Sequence, residues 1–160
     1  MNQKMLLFLM RVALGWLMFY AGITKVLNPD WTAAGYLRGA KTFSGIYNFF
    51  ASPEILPAID FINEWGLALL GVSLILGIGV RITSWCGAAL MALYYLPILR
   101  FPYVGEHSYL VDEHIIYILV LLYFSKAGAG RAWWGMEDWF ASLPFIRKNR
   151  KLKELLGGCG

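Results

Sequence analysis

The sequence predicts an all-α integral membrane protein: a four-helix bundle with an interfacial or re-entrant segment between its first and second spans. Three observations predict it. Of 160 residues, 59% are hydrophobic and only 15% are charged, a balance too apolar for a soluble domain of this size. The apolar residues gather into four runs separated by short polar stretches. Seven Trp and nine Tyr suit a chain with two membrane interfaces, because amphipathic rings settle at headgroup level. Residues 1–140 form one transmembrane domain, and residues 141–160 form a basic cytoplasmic tail.

The first span is Met5 to Leu27, read as a retained helix because it is too long for the apolar core of a signal peptide and lacks a convincing cleavage site. At about 100° per residue, Arg11, Gly15, Met18, Gly22 and Lys25 fall within an arc of about 80°. Charges avoid lipid and glycines let a neighbouring backbone approach, so this face is expected to point into the bundle. The bland alternative is that Arg11 and Lys25 reach opposite headgroup layers.

Asp30 to Pro57 is too polar to span. It carries Trp31, Tyr36, Arg38, Lys41 and Tyr47 among small residues and reads as a segment lying over the mouth of the bundle, with an ordinary loop as the alternative. Ala58 to Val80 is the second span, with Asp60, Glu64, Ala68, Gly71, Ile75 and Ile78 on one face. Glu64 is expected to point inward toward Arg11 or Lys25, since an isolated carboxylate in hydrocarbon would take up a proton.

Ile82 to Leu99 is the third span. Cys86, Gly87, Ala88, Ala89 and Ala92 permit tight packing, and Cys86 counts as a small apolar residue. With only two cysteines in the chain, no disulfide framework is expected. The fourth apolar run, Ile115 to Ser125, is short of the roughly 20 residues a crossing needs. Asp112, Glu113 and His114 lead straight into it, so they enter the span or sit at its mouth, either as a functional cluster or as a helix cap.

Four spans place both termini on one side. Lys4, Arg81, Lys126, Arg131 and the tail cations between Arg147 and Lys153 assign that side to the cytoplasm. The net charge of +4 is therefore read as orientation, not as nucleic-acid binding. The outer side gathers Lys25, Asp60, Glu64, Arg100, Glu106, His107, Asp112, Glu113 and His114.

A metal site is not expected. On a continuous helix Asp112 and His114 would lie about 200° apart, and two histidines from adjacent segments are a weak basis for haem. No phosphate loop, dinucleotide fingerprint or nucleophile elbow is present. Proton handling by His114 with nearby acids, and anion binding by Arg11, Lys25 and Arg100, fit better. Tyr94, Tyr95 and Tyr117 read from the residues alone as ordinary interfacial aromatics.

The segments RVALGWLMFYAGITKVLNP, FINEWGLALLGVSLILGIGVRITS and YLVDEHIIYILVLLYFSKAGAGRAWWGMEDW together resemble the DoxX family, and in particular the DoxD-like small subunit of thiosulfate:quinone oxidoreductase. The similarity covers about residues 8–138. It carries onto Arg11, Gly22, Lys25, Glu64, Arg81, Asp112, Glu113, His114, Gly130 and Arg131. The resemblance implies a membrane redox protein that oxidises thiosulfate or another small reduced compound and passes electrons to quinone. On that expectation Glu64, Asp112, Glu113 and His114 are the catalytic candidates. Arg11, Lys25, Arg100 and His107 would bind substrate, and Tyr94, Tyr95 and Tyr117 would bind quinone. The partners are the bilayer and either a second redox subunit or further copies of the chain. A non-catalytic anchor for a redox partner and a small anion transporter are the rival readings.

Overall fold

The computed structural model of the chain describes residues 2–105, 108–132, 134–136, 139 and 142–143. Of the predicted tail, all but residues 142–143 lies outside the described residues, as do Glu106, His107 and Trp133.

The described residues are mostly helical. Helix α1 spans Gln3–Val26 and starts where the Asn2 side chain accepts the Lys4 N–H at 3.2 Å, a polar cap on an orphan donor. Its buried residues are Arg11, Leu14, Gly15, Met18 and Gly22, nearly the face the spacing predicts. Two short helices follow, α2 (Ala34–Arg38) and α3 (Ser44–Phe50), so the segment between the first two long helices is structured. Helix α4 spans Leu56–Leu76 and stops at Gly77, which takes φ +71°, a left-handed stop suited to glycine. The predicted second span, which ran on to Val80, is therefore shorter.

Helix α5 spans Val80–Ile98. A small antiparallel hairpin, β1 (Tyr103–Gly105) with β2 (Ser108–Tyr109), leads to helix α6, Glu113–Lys126, and then to a 3-10 turn at Ala129–Arg131.

Of these helices, α1 and α4 are long and apolar enough to cross a membrane, and only 28% of each apolar window is buried inside the molecule. A core helix of a soluble protein would hide most of that surface. Trp16, Tyr20, Phe61, Ile62, Trp65 and Leu69 all face outward.

Close backbone approach joins α1 to α4. A Cβ at Gly22 would come within 2.8 Å of Ala68 Cα and Glu64 O, and one at Gly71 would strike the Phe19 backbone. The buried face of α4 is Asn63, Leu67, Ala68, Gly71 and Leu74, rotated from the predicted Asp60, Glu64, Ala68, Gly71, Ile75 and Ile78. The pivot residues Ala68 and Gly71 are common to both, and the helix turns toward the large apolar Leu67 and Leu74. Helices α5 and α6 meet at Gly87 and Leu121, 3.1 Å from a Cβ built on the glycine. Cys86 faces outward and takes no part in this contact. All four long helices supply the core: Leu14 and Met18, Leu67 and Leu74, Val80 and Met91, Leu121 and Phe124.

The α2–α3 segment seals the end of α5. Pro97 lies inside that helix, and a proline cannot donate to the carbonyl four residues earlier, which is Leu93. The Tyr47 hydroxyl donates to that oxygen at 3.0 Å, and the Tyr36 hydroxyl donates to the Tyr94 carbonyl. The Lys41 N–H bonds the Pro97 carbonyl at 2.8 Å and the Thr42 hydroxyl bonds the Leu99 carbonyl at 2.6 Å. Four carbonyls in and just after the last turns of α5, those of Leu93 and Pro97 among them, thus receive donors from one segment. A second, smaller core of Ala33, Leu37, Tyr47 and Ala51 holds it in place.

Candidate functional site

The site forms where the end of α1, the first turns of α4, the last turns of α5 and the start of α6 come together beneath α2. Lys25, near the C-terminus of α1, directs its ammonium to Asn63 Oδ1 at 2.6 Å and to Tyr94 Oη at 3.3 Å. The same ammonium lies 4.6 Å from the centre of the Trp31 ring and 5.4 Å from that of Tyr94. A desolvated cation over aromatic faces recovers part of its lost hydration. Asn63 and Tyr94 offer neutral oxygens, so the charge of Lys25 is held without being cancelled. Glu64 is half-buried on the same end of α4 and near enough for its charge to act on Lys25, but the hydrogen bond goes to Asn63.

At the start of α6 the Asp112 backbone is extended, with φ −124° and ψ −172°. Its side chain therefore curls over the first turn. One oxygen accepts the His114 and Ile115 backbone N–H groups at 3.1 and 3.3 Å, and the other meets His114 Nδ1 at 2.6 Å. One carboxylate thus caps the helix, as expected, and also holds the His114 ring. The helical-wheel separation of Asp112 from His114 does not apply, because Asp112 lies outside the helix. A carboxylate can only accept, so Nδ1 carries the proton and Nε2 is the free ring nitrogen. The imidazole stands edge-on to the Tyr94 ring, with centroids 6.0 Å apart.

These groups wall a cavity of about 350 Å³, lined by Lys25, Trp31, Tyr36, Asn63, Tyr94 and His114 with Thr32, Ala33 and Ile98. That size falls within the range of about 300–1,000 Å³ usual for ligand sites. Asp60 holds one wall in place, its Oδ1 accepting the Ala33 N–H at 2.8 Å. Outside the helical core, burial pushes the Tyr36 phenol up to about 12, with smaller contributions from Tyr47 and Asp112, so it stays a neutral donor.

The structure brings together Lys25, Tyr94 and His114, with Asp112 behind the histidine and Glu64 at the periphery. It does not bring in Arg11. That residue is fully buried beside the Phe8 ring at 5.5 Å, and a Cβ on Gly77 would strike its guanidinium. Fourteen residues of helix separate it from Lys25, about 21 Å. The single convergence expected from the sequence is therefore two separate polar places. Glu113 is exposed in the first turn of α6, where an acid suits the helix dipole. Tyr95 donates to the Leu110 carbonyl at 2.6 Å and Tyr117 packs against the main core, so neither lines the cavity. Arg100 lines a different cavity, and His107 lies outside the described residues.

Sequence reasoning missed Asn63, Trp31 and Tyr36 as wall residues. Asn63 had a signal, since it shares a helical face with Leu67, Gly71 and Leu74. Among the described residues no three His, Cys, Asp or Glu side chains gather in a way that could hold a metal ion.

A family model described as DoxX matches residues 6–98, more than half of the chain. No curated protein and no solved structure matches it.

Proposed function

The chain belongs to the DoxX family, and from that premise we propose that it is a multi-pass membrane redox protein whose Lys25–His114 cavity binds the headgroup of a quinone. In this reading α1, α4, α5 and α6 form a four-helix bundle across the bilayer. Helix α6 has only 14 residues, about 21 Å, and is the shortest of the four. The end of the bundle opposite the cavity faces the cytoplasm, because Lys4, Arg81, Lys126 and Arg131 gather there. The electron donor, thiosulfate or another small reduced compound, arrives from the outer face.

One observation carries the reading: a lysine ammonium and an imidazole with its Nδ1 fixed by a carboxylate face the same aromatic-walled cavity at the mouth of the helices. The fit to a quinone is chemical. A flat apolar ring suits the faces of Trp31, Tyr36 and Tyr94, and its carbonyls require donors, which Lys25 Nζ and the Thr32 hydroxyl provide. A quinone bound there would supply an acceptor for two electrons and two protons. The free Nε2 of His114 would take a proton from solvent and pass it to a quinone carbonyl oxygen, with Asp112 stabilising the imidazolium in between, as an oriented acid–base group requires. Asn63 and Tyr94 keep the Lys25 ammonium aimed at the cavity.

The test uses detergent-purified protein with thiosulfate and a soluble quinone analogue, following quinone absorbance. Reduction is expected in the native chain and lost in His114→Ala and Lys25→Met. Quinone alone should raise the melting temperature, which reads binding even if turnover needs a second redox subunit or a homo-oligomer. A melting temperature indifferent to quinone would remove the proposal.

A further inference from the structure

A second cavity, of about 640 Å³, opens beside the first between α2 and the chain that leaves α5. Tyr36 and Ile98 line both, so they form the wall between them. Among the described residues its charged lining groups are Lys41 and Arg100, with no acid beside them.

The backbone at each of the two cations is tethered beside the cavity. Arg100 and Tyr103 exchange two main-chain hydrogen bonds, 2.6 and 2.7 Å long. The Lys41 N–H reaches the Pro97 carbonyl, and Thr42 reaches that of Leu99. Both residues are thus tethered to the same short stretch at the end of α5. Among the described residues neither side chain forms a salt bridge. Two like charges around one concavity repel each other and raise the local concentration of anions. The floor is open as well: a Cβ at Gly35 would meet nothing within 4 Å.

We propose that this cavity is an oxyanion site, in which Lys41 and Arg100 hold a sulfate- or phosphate-type group beside the wall formed by Tyr36. The volume equals that of roughly 20 waters, so the oxyanion has room for a substituent. Two sources share this chemistry, a free oxyanion and the phosphate of an anionic lipid. The inference goes beyond the quinone reading and stands without it.

The experiment titrates purified full-length protein in neutral detergent with sodium sulfate, and separately with a short-chain phosphatidylglycerol, at constant ionic strength set by sodium chloride. Heat of binding is the readout, and the variants are Lys41→Met, Arg100→Met and Gly35→Leu. The leucine fills open space on a helix, so the fold should survive, and the melting temperature checks this. Saturable sulfate binding that weakens at least tenfold in each variant supports a free oxyanion. The same pattern with phosphatidylglycerol alone supports a lipid phosphate. Saturable binding of neither probe, or binding unaltered in the three variants, overturns the proposal. The quinone-induced melting shift should persist in all three, so failure of either reading is seen separately.

Discussion

The Tyr47 hydroxyl donates to the carbonyl oxygen of Leu93 across 3.0 Å, taking the position that the missing N–H of Pro97 leaves empty. This places a structured segment over the mouth of the helices and gives the cavity its roof. Removing the donor should leave a carbonyl orphaned at a site where Tyr47 is buried. Tyr47→Phe is expected to lose about 1–3 kcal/mol, measured by unfolding in detergent. Adding Pro97→Ala restores an N–H for the same oxygen, so the double variant should recover part of the loss. Strict additivity of the two changes would contradict the assignment.

The contact between α1 and α4 depends on two glycines. Gly22→Ala and Gly71→Ala should each cost about 1–3 kcal/mol, because the added carbon meets backbone. Gly66→Ala, with nothing within 4 Å, should be neutral or stabilising by up to about 1 kcal/mol. Equal melting temperatures for the three variants would show that α1 and α4 do not approach in this way.

Asp112 serves both as helix cap and as partner to His114, and substitution can separate the two roles. Asn is as good a cap as Asp, so Asp112→Asn should change stability by only a few tenths of a kcal/mol, whereas Asp112→Ala should lose about 1 kcal/mol. Both lose the negative charge beside Nδ1. If His114 is the acid–base group, quinone reduction should fall roughly tenfold or more in both, short of the about 10²–10⁴-fold lost when such a group is removed outright. Full activity in Asp112→Asn would leave Asp112 with a capping role alone.

Alkaline stability should report on Tyr36. Its folded-state value is pushed up to about 12 from the ordinary 10.0, so the fold favours the neutral phenol that donates to the Tyr94 carbonyl. This contribution is fully present below pH 10 and is lost as pH rises toward 12. Unfolding midpoints measured at pH 9 and pH 11 should converge between the native chain and Tyr36→Phe at the higher pH. An undiminished difference at pH 11 would count against this.

The face of α1 was legible because charge and glycine repeat together at helical spacing. The face of α4 was partly legible. The acid Glu64 sets the predicted face, whereas the volumes of Leu67 and Leu74 turn the helix the other way and bring the neutral Asn63 to Lys25. The Asp112–His114 contact was hidden because wheel geometry assumes both residues are helical, and a cap residue is not. The roof of the cavity could not be read locally. Its hydrogen bonds join Tyr36 and Tyr47 to carbonyls 58 and 46 positions away, and only the proline in α5 hinted that a donor was needed. Arg11 and Lys25 share a face, yet helix length alone puts them in different places.

The central claim, that the Lys25–His114 cavity takes a quinone, is tested most directly by photolabelling the purified protein with an azidoquinone and mapping the modified residues by mass spectrometry. The account predicts label within residues 31–36 and 94–98, competed away by unmodified quinone and reduced in Lys25→Met. Label confined to other segments, or label in these segments that neither competitor nor substitution changes, would contradict it.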